Sequence, residues 1–169
     1  KALSDALAAN PVLKELDLSS QGDEYDRGRL DAACAKELAI GLGANGALTS
    51  LNMSKNRLLT KGAGKVLGDM LKANSVLKEL DVSASGEDMY DLQKDGPGFA
   101  KELAAGVSTN GALEKLLLGS NRINGAEAGK ALGDALAVNT VLKELDLSGQ
   151  GDEYGNGRLD AACAKELAI

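Results

Sequence analysis

The sequence predicts an α/β solenoid: a stack of short units whose parallel strands form one sheet and whose helices cover one side of it. Three observations carry this. Residues 1–40 and 130–169 agree at all but positions 4, 9, 11, 20, 26 and 27, and two weaker copies lie between them. Within each copy the apolar spacing switches from four, the spacing of a helix face, to two, the spacing of a strand face. Of the 169 residues, 44% are apolar but only 2% are aromatic, so leucine and alanine must fill the interior. That suits thin, stacked layers better than a core built on large rings.

Placing boundaries before Lys36, Lys65, Lys101, Lys130 and Lys165 gives units 1–35, 36–64, 65–100, 101–129 and 130–164, with a partial unit at 165–169. Long and short units alternate within a single repeat domain. The first unit supplies Leu3, Leu7, Asn10, Leu13, Leu16 and Leu18; the second supplies Leu38, Leu42, Asn45, Leu48, Leu51 and Met53. The third, fourth and fifth repeat the pattern from Leu67, Leu103 and Leu132. Leu38 and Leu42 share a helix face, and Leu51 and Met53 share a strand face. The asparagine between them, such as Asn45, is expected to end the helix in the left-handed conformation. Helix starts are marked by Asp31 and Asp160 as N-caps, by Pro97 in a first turn, and by Asn124 with Glu127 in a capping box. One such unit cannot cover its own leucines; its neighbours do so.

The runs LTSLNMSKN (48–56) and LEKLLLGSN (113–121) resemble the leucine-rich-repeat core L-x-x-L-x-L-x-x-N. The helix GKVLGDMLKAN (64–74) resembles the ribonuclease-inhibitor-like subclass, whose repeats occur in NOD-like receptors and the Ran GTPase-activating protein. The resemblance covers the whole chain. It implies a horseshoe segment with a parallel sheet on the concave face and helices on the convex face. It also implies that the motif asparagine, here Asn56 and Asn121, bonds backbone groups across neighbouring units. The long units carry Gln21, Ser85 and Gln150 at that place. Glutamine is expected to reach differently there, and serine to serve less well.

Several kinds of chemistry find no residues. The chain has no histidine, which removes Ser-His-Asp and Cys-His nucleophile pairs and most zinc sites. No catalytic residue, cofactor or metal site is expected. Gly62, Gly64, Gly125 and Gly129 recur with the repeat and form no G-x-x-x-x-G-K-[ST] loop, so they read as turn and close-packing positions. Cys34 and Cys163 align with Ala63, Phe99 and Ala128, a packing series, so both thiols are expected to be buried, reduced and unreactive. The formal charge of −6 argues against nucleic acid, and no apolar run is long enough for a membrane span. Two cysteines without dense spacing fit a cytoplasmic, reducing compartment.

What remains is a surface for another protein. Residues between the strand leucines point away from the core, giving the acidic pairs Glu15/Asp17, Glu79/Asp81 and Glu144/Asp146 on every second strand, about 10 Å apart. The short units place Ser50/Asn52 and Lys115/Leu117 there. The loops at 22–31, 86–97 and 151–160 carry eleven acidic against four basic residues and hold Tyr25, Tyr90 and Tyr154. Asp23, Glu24 and Asp26 are hard oxygen ligands, but their spacing does not fit a calcium loop. The leading expectation is a protein-interaction scaffold that binds a basic partner segment through the acidic concave face and the tyrosine-bearing loops. The alternatives are a regulatory module of a GTPase or enzyme and a structural or engineered array. The end units are expected to be the weakest parts of a longer array, with Leu3 and Leu167 partly uncovered and weak end-to-end self-association.

Overall fold

A computed structural model describes residues 1–21, 29–85, 94–151 and 158–167. Among the described residues six helices alternate with five strands: α1 (Ala2–Ala9), β1 (Glu15–Asp17), α2 (Ala32–Ala44), β2 (Ser50–Asn52), α3 (Lys61–Ala73), β3 (Glu79–Asp81), α4 (Gly96–Val107), β4 (Lys115–Leu117), α5 (Gly125–Val138), β5 (Glu144–Asp146) and α6 (Ala161–Leu167). The strands form one parallel sheet in chain order, β1 to β5. Its register is constant: Leu16, Leu51, Leu80, Leu116 and Leu145 stand side by side. The middle three of these leucines are almost wholly buried, whereas Leu16 and Leu145, on the two edge strands, are half-buried.

The spacing seen in the sequence places the core as expected. Leu67 and Leu71 on α3, and Leu103 and Val107 on α4, turn the same helix face inward against the strand leucines. Neighbouring helices approach closely because the facing positions are small. A Cβ added to Gly68 would lie 2.6 Å from the Glu102 carbonyl oxygen, and one added to Gly64 or Gly129 would collide with the backbone of Phe99 or Cys163. Gly62 behaves differently: an added Cβ would meet only the Thr60 hydroxyl, at 3.9 Å, so its place in the glycine series is not a packing requirement.

The helix ends differ from the sequence expectation in two ways. Asp31 and Asp160 cap as expected, accepting the N–H of Cys34 at 2.9 Å and of Cys163 at 2.7 Å. Asn124, however, accepts no capping hydrogen bond. The Gly125 N–H donates instead to Asp160 of the next unit at 3.2 Å, and Glu127 pairs with Lys101 of the preceding helix. Thr60 and Asp95 cap α3 and α4 in addition.

The helix-ending asparagines are not left-handed either. Asn10, Asn45, Asn74 and Asn139 have φ between −71° and −91° with extended ψ. Their side chains do the work. Each Oδ1 accepts the N–H groups two and three residues ahead, as from Val76 and Leu77 to Asn74 at 2.9 and 2.7 Å. Each Nδ2 from the second unit onward donates back to the preceding unit. Asn74 donates to the carbonyls of Leu42 and Asn45 at 2.8 and 3.2 Å, and Asn110 to those of Leu71 and Asn74 at 2.7 and 2.9 Å. Asn45 and Asn139 repeat the arrangement. A ladder of side-chain amides, buried at Asn45, Asn74 and Asn110, therefore links the second to fifth units to those before them and satisfies helix-end carbonyls that would otherwise lack partners.

A second ladder lies at the far ends of the strands. Asn56 donates to the Leu18 carbonyl at 2.8 Å and Asn121 to that of Val82 at 2.9 Å, each crossing to the preceding unit. Gln150 reaches the Leu118 carbonyl at 2.7 Å and accepts the N–H groups of Asn121 and Ile123. Ser85 is too short to cross: its hydroxyl donates to Val82 of its own unit at 3.0 Å. Glutamine thus preserves the link between units and serine loses it.

Candidate protein-interaction face

The side of the sheet turned away from the helices carries two rows of outward residues. One row is Glu15, Ser50, Glu79, Lys115 and Glu144; the other is Asp17, Asn52, Asp81, Leu117 and Asp146. All the strand residues singled out in the sequence are therefore brought together on one face. Across the first three strands the face dips into a depression of about 240 Å³ lined by both rows. Tyr25, Tyr90 and Tyr154 lie outside the described residues, as do Asp23, Glu24 and Asp26.

The row of glutamates is partly compensated. The Lys115 ammonium stands 3.6 Å from Glu79 and 3.3 Å from Glu144, and these carboxylates, Glu144 first, raise its pKa. Above this row, at the start of the strands, Lys78 and Lys143 hold Glu114 between them at 3.2 and 2.5 Å. Hydrogen bonds from those two lysines, Lys143 first, lower the pKa of Glu114. With Lys14 also at this rim, basic groups border the strand starts and acids occupy the strand ends. The face is graded in charge rather than uniformly acidic.

The row of aspartates has a structural task that the sequence reading missed. Asp17, Asp81 and Asp146 accept, through Oδ1, the N–H groups of Ser19, Ser83 and Ser148 at 2.8, 2.9 and 2.8 Å. Asn52 does the same for Ser54 at 3.0 Å. These are Asx turns, and they bend the chain out of each strand. The next residue but two then takes a left-handed conformation: Ser20, Lys55, Ala84 and Gly149 have φ of 52°, 56°, 53° and 61°. The signal was present in the sequence as Asp/Asn-x-Ser, repeated four times. Hydrogen bonds from Ser19, its hydroxyl first, lower the pKa of Asp17, and those from Ser148, its backbone N–H first, lower that of Asp146. Both carboxyls therefore take up a proton only below the ordinary pH for an aspartate, and one oxygen of each lies outside the turn bond.

The two cysteines part company. Cys163 has no exposed surface, whereas Cys34 is exposed, which corrects the expectation that both are buried. At each helix start one residue faces the preceding unit and the next faces the following one: Ala63 with Gly64, Phe99 with Ala100, and Ala128 with Gly129 are all buried. Cys163 packs under α5 near Gly129. Cys34, on α2, has no such cover among the described residues. In the same way Ala35 is buried beneath the third unit, while its counterpart Ala164 is exposed.

Among the described residues, no group of three or more acidic or cysteine side chains is placed to hold a metal ion, and no helix is long and apolar enough to cross a membrane. No family model and no curated protein sequence matches the chain. Among solved structures it is similar to leiomodin-1 actin-binding site 2, with a TM-score of 0.65 over 98% of this chain and 85% of that one, at 16% sequence identity. At that identity the likeness speaks to the fold, which is a leucine-rich-repeat-type solenoid.

Proposed function

We propose that this chain is a protein-binding repeat scaffold that catalyses no reaction and holds a basic segment of its partner across the strand ends of the open sheet face. The observation that carries the reading is the row of Asp17, Asp81 and Asp146, fixed in register by identical turn bonds and at least partly exposed among the described residues. Carboxylates held in one orientation lose little freedom when a cation meets them, and a graded charge orients an approaching segment. The similar solved structure carries the name of an actin-binding site, which supports a protein as the kind of partner. The alternation of helix and strand around buried asparagines supports assignment to the ribonuclease-inhibitor-like subclass, and the two free thiols support a reducing, cytoplasmic setting.

The test is titration of a lysine- and arginine-rich peptide into the protein at low and high salt. Binding is expected to weaken steeply with salt. Replacing Asp17, Asp81 and Asp146 together by asparagine copies Asn52, so the turns are kept while three charges go. The association rate is expected to fall about tenfold, with the thermal midpoint little changed. Equal binding by the substituted protein would show that these carboxylates are not the site. Light scattering on the same samples separates peptide binding from association through the end strands.

A further inference from the structure

One residue breaks the aspartate row. Leu117 stands in register between Asp81 and Asp146, on the outward side of β4, and is half-buried. A leucine there forfeits the Asx turn that Asp17, Asn52, Asp81 and Asp146 all make. The backbone nevertheless follows the same path, since Ser120 takes the left-handed φ of 57° found at the matching places. The fourth unit thus makes the common turn without its hydrogen bond and sets an aliphatic side chain on the open face. Two residues earlier on the same face, Lys115 has its charge taken up by Glu79 and Glu144. At β4 the face is therefore apolar and nearly neutral, with the Asp81 and Asp146 side chains on either side.

We infer, on the basis of the proposed binding face, that Leu117 selects among basic segments, accepting an extended one in which an aliphatic residue is flanked at alternate positions by cations. Strands about 4.8 Å apart put Asp81 and Asp146 about 10 Å apart across Leu117. An extended segment crossing the strands turns every second residue to the sheet, about 6.8 Å from the last. With its aliphatic residue over Leu117, lysines two positions before and after overhang Asp81 and Asp146, and their long side chains take up the small difference. The charges supply attraction and orientation. The leucine contact adds the discrimination, because an aliphatic group loses water there and a polar one gains nothing.

Two peptides test this, one with a Lys-x-Leu-x-Lys centre and one with Lys-x-Ser-x-Lys, against the full chain and its Leu117→Asn and Leu117→Met variants. The unsubstituted protein is expected to favour the leucine peptide about fivefold, the size expected for covering part of one leucine side chain. Leu117→Asn is expected to bind the serine peptide as well as before and to lose the preference, while Leu117→Met keeps it. The thermal midpoint of Leu117→Asn is expected at or above that of the original, since asparagine restores the missing turn bond; this guards against reading misfolding as lost selectivity. If Leu117→Asn keeps the preference, or if the unsubstituted protein binds both peptides equally and with salt sensitivity, the role of Leu117 is wrong and the basic-segment face stands. If neither peptide binds at low salt, the face itself is wrong and Leu117 falls with it.

Discussion

Cys34 and Cys163 sit at the same turn of the same repeated sequence, Asp-Ala-Ala-Cys-Ala-Lys, yet one is exposed and the other has no accessible surface. The difference comes from the neighbour: α5 lies over Cys163, and no described residue covers Cys34 in the same way. Burial also pushes the Cys163 thiol pKa up, with the nearby Asp160 charge adding to it. Labelling of the native protein with a thiol reagent, read by peptide mass spectrometry, should therefore modify Cys34 quickly and Cys163 only as fast as the last unit opens. Equal rates at both would contradict the packing at α6.

The amide ladder predicts unequal effects from identical substitutions. Asn74→Ala removes two donations to the preceding unit and two acceptances in its own turn, all at a buried position. Stranding these backbone groups should cost about 2–4 kcal/mol in a urea titration. Asn10→Ala removes acceptances from Val12 and Leu13 at a half-exposed site and should cost about 1 kcal/mol or less. Similar losses at both positions would mean that the links between units contribute little.

Glycines that look alike in sequence should also separate. Gly68→Ala places a methyl 2.6 Å from a backbone oxygen of α4, and neither helix can yield without disturbing its own stack. A loss of about 1–3 kcal/mol is expected. Gly62→Ala points into open space near the start of α3 and should be neutral or gain about 0.5–1 kcal/mol from helix propensity. Urea midpoints of the two variants, measured side by side, give the answer.

Acid should destabilise the fold late and over a narrow range. The carboxyls of Asp17, Asp31, Asp69 and Asp146 are lowered from an ordinary 3.8, and those of Glu114 and Glu127 from an ordinary 4.5. A group with a lowered folded-state pKa stabilises fully above its ordinary value and loses that contribution as pH falls through the folded one. The chain has no histidine to titrate near neutrality. The thermal midpoint should thus be flat from about pH 8 to 5 and fall below about 4.5. A decline already under way at about pH 6 would require a group other than these.

What could be read from the sequence follows a clear division. The alternation of spacing at Leu38–Leu42 and Leu51–Met53 depends on one unit alone, and it matches the order of helix and strand among the described residues. The differences at Asn45 and Cys34 involve an adjacent unit, and the one at Asp17 and Asp81 is local. Asn45 was read as a backbone conformer because its acceptors, Leu7 and Asn10, are more than thirty residues away. Cys34 was matched to buried relatives whose cover it does not share. Asp17 and Asp81 were read only as free surface charge because the short-range turn they make leaves no mark in apolar periodicity.

The asparagine ladder points one way. In each pair, from Asn45 on Leu7 and Asn10 to Asn139 on Val107 and Asn110, the side-chain donor belongs to the later unit and the carbonyl acceptor to the earlier one. During translation the amino-terminal end leaves the ribosome first. Each emerging asparagine therefore arrives after its acceptors have been synthesised and can close its bonds without waiting for downstream sequence. In that order no asparagine side-chain amide of the ladder waits for downstream sequence, whereas strand N–H groups such as those of Leu18 and Met53 find their acceptors only when the next unit arrives.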